Sequence, residues 1–145
     1  MLLSAIGDRF DAATLARMAR RTPDPVLRAM TVGPMRSLVV GEVFRRMPSQ
    51  VKPAAAPPDC VIRWRIGEGK KVETWFCVFE AGGLKTTTRD PETPPRTTLE
   101  VSAPDFLRVA TGSAFPMAMF QDGRIEISGD LFFAAQLQGM FEIPA

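Results

Sequence analysis

The stretch from Leu99 to Phe141 admits few folds. It runs through strand, capped helix, glycine stop, short aromatic and Met-rich helix, glycine turn, strand and a second capped helix almost without a gap. Thr98-Leu99-Glu100-Val101 alternates as a strand does. Ser102-Ala103-Pro104-Asp105 follows with a hydroxyl at the cap and an acid at the third helical position, so a helix begins there and continues through Ala110 before Thr111-Gly112 stops it. Pro116 suits the first turn of the next helix, Phe115 to Phe120, because a helix start leaves that N–H unpaired anyway. Asp122-Gly123 turns the chain into the strand Arg124-Ile125-Glu126-Ile127-Ser128, and Gly129-Asp130 caps a helix from Leu131 to Phe141. Elements in that order lay apolar helices across a sheet and bring no catalytic group with them.

Upstream, Ile62, Trp64 and Ile66 alternate with Arg63 and Arg65, a strand with one buried face. Thr74-Trp75-Phe76-Cys77-Val78-Phe79 is apolar on both faces, the pattern of a central strand covered on two sides. A shorter strand around Leu84 to Thr88 and a proline-rich loop, Arg89 to Pro95, come next. Pro48 to Asp59 breaks all periodicity and reads as an extended connector. Ahead of it the pattern is helical. Asp11 caps one helix whose Leu15, Met18 and Ala19 share a face, Asp24-Pro25 starts a second, and Pro34 opens a third in which Met35, Leu38, Val39, Val43 and Met47 recur at helical spacing. These amphipathic helices are the expected cover for the second face of the Trp75 strand.

Composition narrows the chemistry. The sequence contains no histidine, which removes Ser-His-Asp and Cys-His nucleophile systems and the common His-containing zinc sites. Its 2 cysteines are too few for a tetrahedral thiolate site. A hairpin turning near Glu68-Gly69 would set Cys60 opposite Cys77, and both are expected as free thiols. With 18 basic and 16 acidic residues the net charge is +2, too weak a field to argue for nucleic acid. Gly67-Glu68-Gly69-Lys70-Lys71 joins two strands and lacks phosphate-loop spacing. Asp90 and Glu92 sit in the proline-rich loop with no apolar pocket to separate their pKa values. Met1 to Arg9 lacks the pattern of a signal peptide, so a cytoplasmic protein is expected.

The ordered set Thr98-Leu99, Ser102, Asp105-Phe106 and Gly112, then Pro116, Phe120, Gly123, Ile125, Ile127 and Gly129-Asp130, resembles the sterol carrier protein 2 (SCP2-like) domain. The Trp64 strand and the Trp75, Cys77, Phe79 strand extend the resemblance over residues 60 to 141. It implies an α+β fold: a five-stranded mixed or antiparallel sheet with helices packed on it and a hydrophobic tunnel between them. Residues 58–145 would form that domain, with residues 1–50 as a helical extension packed on it. It also implies non-catalytic binding and transfer of a sterol, fatty acid, acyl-CoA or other hydrophobic ligand, without a cofactor. The residues expected at the lipid are Trp75, Phe106, Phe115, Met117, Met119, Phe120, Phe133, Leu137, Met140 and Phe141. Their density, with 8 methionines in the chain, favours an adaptable interior. An empty cavity of about 300 Å³ would cost roughly 7 kcal/mol, so such a space must collapse or be filled. The second reading is an accessory or scaffold protein that presents a lipid, such as an isoprenoid quinone precursor, to a partner enzyme. A transient contact with a membrane surface is compatible with either.

Overall fold

Glycine in the left-handed region lets Cys60–Glu68 (β1) turn back into Lys71–Glu80 (β2): Gly69 has φ of 60°, a conformation that a side chain disfavours. The computed structural model describes residues 33–142, so the helices expected from Asp11 and from Asp24-Pro25 lie outside the described residues. Gly83–Thr87 (β3) adds antiparallel to the outer edge of β2. Thr97–Val101 (β4) pairs parallel to β1, and Ile125–Gly129 (β5) pairs antiparallel to β4. The order β3-β2-β1-β4-β5 makes a mixed five-stranded sheet with β1 in the middle. The segment from 88 to 96 must therefore travel past β2 and β1 to reach β4.

The hairpin register pairs Cys60 with Phe79 and Ile62 with Cys77. The expected pairing of Cys60 with Cys77 is thus off by two positions, because the turn is centred on Gly69-Lys70, one residue later than read. Both thiols are free.

Helices form where the capping signals stand. Ser102 Oγ accepts from the Asp105 N–H at 3.3 Å at the start of Ala103–Ala110 (α2). Asp105 does not reach back to complete a capping box. Its carboxylate is gripped by the Arg124 guanidinium, whose Nε donates to Oδ2 at 3.3 Å while NH2 donates to Oδ1, and this ties α2 to the start of β5. Pro116–Gln121 (α3) starts at its proline. Asp130 Oδ1 accepts from the Phe133 N–H at 3.0 Å to cap the last helix, and Arg96 Nε donates to Oδ2 at 3.0 Å. The Phe133 N–H, with Arg96 beside it, holds the Asp130 carboxyl below the usual range. That helix is shorter than its sequence suggests. It is α-helical only over Leu131–Gln136, and Leu137–Met140 tightens into a 3-10 turn that delivers Phe141 to a bridge with Val51. The connector from Pro48 to Asp59 is accordingly not simply extended: it carries 3-10 turns at Met47–Gln50 and Pro53–Ala55 and the Val51 bridge between them.

Ile62, Trp64 and Ile66 of β1 share one face of the sheet with Cys77 of β2 and with Leu99 and Val101 of β4, as the register requires. The helices Gly33–Arg46 (α1) and α2 pack on that same face. Phe44 of the first of these stacks between Trp75 and Phe106, with ring centroids 4.6 Å and 5.0 Å apart, and Phe106 meets Trp64 edge-on at 5.2 Å. Two sequence expectations are corrected here. The helix Gly33–Arg46 joins the other helices instead of covering the second face. Its inward stripe is centred on Val40 and Phe44 and continues into Met47; of the expected row Val39 and Val43 pack against that core half-buried, whereas Met35 and Leu38 are 42% and 47% exposed. A phenylalanine that fits between two rings offers more area and better contact than the aliphatic row one position away.

Candidate functional site

Between the sheet and the helices lies a cavity of about 50 Å³. Ile62, Trp64 and Cys77 form its floor, all on the helix-covered face of β1 and β2. Phe106, Val109 and Ala110 of α2 form one wall, Val43 and Met47 the opposite one, and Gln50, Leu137, Gln138 and Phe141 close it. The floor is buried, while Val43, Gln50, Ala110, Gln138 and Phe141 are half-buried and make the rim. None of the lining residues carries a charge. Such a space offers neither acid nor base to a substrate; what it can do is exclude water from an apolar group. Among the described residues no group of three or more His, Cys, Asp or Glu could hold a metal ion. No described helix is long and apolar enough to cross a membrane.

Two strands of contact close the cavity at the rim. The Lys52 N–H donates to the Met140 carbonyl at 2.8 Å and the Glu142 N–H to the Gln50 carbonyl at 2.6 Å, on either side of the Val51–Phe141 bridge. Gln138 Nε2 donates to the Val109 carbonyl at 2.9 Å and to the Ala114 carbonyl at 2.6 Å, joining the C-terminal 3-10 turn to the end of α2.

Three of the ten residues expected at a lipid, Phe106, Leu137 and Phe141, line this cavity. Met119, Phe133 and Met140 are buried in the core away from it. Trp75 is half-buried and backs the site through Phe44. Met117 and Phe120 are half-buried outside the lining, and Phe115 is 67% exposed. The site is therefore built as much from the sheet as from the C-terminal helices. Ile62 and Trp64 alternate as the buried face of a strand and Cys77 lies in a strand apolar on both faces, patterns that a cavity floor shares with ordinary sheet core.

Cys77 shows how dry the floor is. Burial pushes its thiol up to about 12, and burial also raises Cys60. The thiolate is the reactive form, so Cys77 stays protonated and inert near neutral pH. With an aromatic disulfide reagent at pH 8, half-buried Cys60 is expected to be modified first and Cys77 only when the cavity opens or the fold is lost. Equal rates for the two thiols in the native protein would contradict this placement.

The SCP-2 sterol transfer family matches residues 41–142 of the chain, which spans the sheet, the cavity and all its lining residues. The chain belongs to that family. The mouse peroxisomal multifunctional enzyme type 2 is 26% identical over 103 residues, which are 70% of this chain and 14% of that protein. The chain thus spans about one seventh of the length of this relative. The sterol carrier protein 2 of Yarrowia lipolytica, solved in its apo form, superposes with a TM-score of 0.57 at 22% identity, covering 77% of this chain and 94% of that one. The Aedes aegypti sterol carrier protein 2 in complex with palmitate superposes with a TM-score of 0.51 at 19% identity, covering 68% and 93%. The five-stranded sheet with its helices is therefore the SCP-2 fold.

Proposed function

We propose that this chain is a non-catalytic lipid-binding or lipid-transfer protein, and that a single hydrophobic chain of the fatty-acyl type lies between the Ile62–Trp64–Cys77 floor and α2. The observation that carries the reading is the uncharged cavity between sheet and helices in a member of the SCP-2 family. The palmitate complex of the Aedes aegypti protein supports a fatty acid as the first ligand to try. Gln50 and Gln138 are the polar residues of the lining and both lie at the rim, so the apolar tail points inward and the polar end stays near water.

The cavity is small in the described form, about 50 Å³. Keeping it costs only about 1 kcal/mol at roughly 24 cal/mol per Å³, which a domain tolerates easily. A ligand that buries about 400 Å² of apolar surface gains on the order of 10 kcal/mol gross, and association and ordering remove much of it, leaving micromolar affinity. That range suits a carrier, which releases what it captures.

Titration of the full chain with a fluorescent fatty acid is expected to saturate at one ligand per molecule and to quench Trp64, which lies in the floor. Native mass spectrometry of protein purified from its own host would identify a retained lipid. Absence of both saturable binding and a copurified lipid would overturn the reading. A stable enzyme partner copurifying in place of lipid would favour the accessory role.

A further inference from the structure

We propose that the uncharged surface formed by residues 109–121 and 131–141 beside the cavity docks on a lipid bilayer and that Phe115 and Phe132 enter its apolar layer, an inference that rests on the lipid-binding reading above for its cargo. Neither run contains a charged residue, in a chain 23% of whose residues are charged. Burial accounts only for their inward halves, where Val109, Met119, Phe133, Leu137 and Met140 belong to the core. The outward halves are apolar too. Phe132 is 86% exposed, Phe115 67% and Leu131 40%. Ala118 and Ala135, each one helical turn after an exposed phenylalanine, are exposed on the same faces.

Both runs reach the cavity. Val109 and Ala110 lie in its wall, Leu137, Gln138 and Phe141 close it, and Gln138 donates to the carbonyls of Val109 and of Ala114, the residue before Phe115. The last helix packs against α3, and Phe132 stands six residues ahead of Gln138, about 9 Å along a helix. A bilayer that takes up the two rings therefore lies against the rim, and an apolar chain passes between it and the cavity with little exposure to water.

Area and chemistry favour a bilayer over a protein on this face. At their fractional exposures Phe115, Phe132 and Leu131 present on the order of 350 Å² of apolar surface. Two copies joined through it would bury about 700 Å², short of the about 1,200 Å² at which specific interfaces begin. Gln121 and Gln136 supply the exposed polar side chains of the two runs, whereas a protein interface carries about one hydrogen bond per 100–200 Å². A bilayer needs neither: it accepts protruding rings one by one, and phenylalanine has no polar atom to hold it at the headgroups.

Vesicle binding of the full chain tests the surface. Wild-type protein is expected to float with phosphatidylcholine vesicles, which carry no net charge. It should stay bound when salt rises from about 0.1 M to about 1 M and the Debye length falls from about 10 Å to about 3 Å. The double substitution Phe115→Ser and Phe132→Ser should lower the partition coefficient at least about tenfold. It should leave the thermal midpoint and the fatty-acid affinity in solution unchanged, because both rings lie outside the core and the cavity lining and serine suits the N-cap that Phe115 occupies. Wild type that binds only anionic vesicles and leaves them at high salt would overturn the proposal, as would undiminished binding of the double variant. So would a stable dimer or a stoichiometric protein partner that the double variant loses, since the face would then be a protein interface. Fatty-acid titration keeps the two readings apart. Saturable fatty-acid binding without vesicle attachment sinks the docking surface alone, and vesicle attachment without saturable fatty-acid binding sinks the lipid-binding reading and leaves the surface standing.

Discussion

Replacing Phe44 by alanine is expected to lower the unfolding free energy by about 3–5 kcal/mol, the range for deleting a buried aromatic ring. Phe44 is fully buried, and its ring lies nearly parallel to both Trp75 and Phe106, with interplanar angles of 6° and 15°. Each such pair contributes roughly 0.5–1.5 kcal/mol beyond the area it buries. A domain of this size has a total stability of about 5–15 kcal/mol, so the loss takes a large part of what is available. It also severs the helix Gly33–Arg46 from the sheet at its main contact. The measurement is the urea midpoint, which should fall while the slope of the transition stays the same. Phe44→Leu, which keeps part of the volume, should fall between wild type and alanine. A loss below about 1.5 kcal/mol for Phe44→Ala would mean that the stack is not what holds this helix down.

Ala110→Trp is expected to weaken fatty-acid binding about tenfold or more, equivalent to at least about 1.4 kcal/mol, with little change in stability. Ala110 lines the cavity and is half-buried at its rim, so an indole there can turn into the space a ligand needs or stay at the surface while the core is untouched. Met119→Trp should behave in the opposite way. Met119 is 2% exposed and outside the lining, so the larger ring overpacks the core, costs about 1–3 kcal/mol and leaves the affinity of the folded molecules unchanged. Calorimetric or fluorescence titration beside thermal melts of both variants separates the two effects. Wild-type affinity in Ala110→Trp would show that the ligand lies elsewhere.

That contrast marks what the sequence carried. Capping signals are local, so Ser102, Pro116, Gly123 and Asp130 announced their elements and the structure places each where its hydrogen-bond chemistry requires. The ordered motifs from Thr98 to Asp130 pointed to the SCP2-like fold, and the family match extends it to residues 41–142. Relations between distant segments were harder to read. Which of two helical stripes turned inward depended on whether Phe44 had rings to sit between, and those rings come from β2 and α2. Register was lost by one residue at Gly69-Lys70, which shifted Cys60 and Cys77 apart. Apolar density in the C-terminal helices could not separate the wall residues Phe106, Leu137 and Phe141 from ordinary core such as Met119 and Phe133, because both kinds are greasy and helical. Only the path of the chain from Leu137 to Phe141 distinguishes them.

The parallel pairing of β1 with β4 has a consequence for how the molecule is made. Arg65 and Glu100, partners across the middle of the sheet, are 35 positions apart. When the ribosome has released β1, β2 and β3, the centre of the future sheet is still an open edge, a template for unwanted strand pairing, and the part of its greasy side that α2 will cover is bare even with the helix Gly33–Arg46 in place. Neither fault is repaired until the last third of the polypeptide emerges, since β4 closes the edge and α2 shelters the face together. Slow synthesis or truncation beyond Thr87 should therefore yield insoluble material in place of a smaller folded unit.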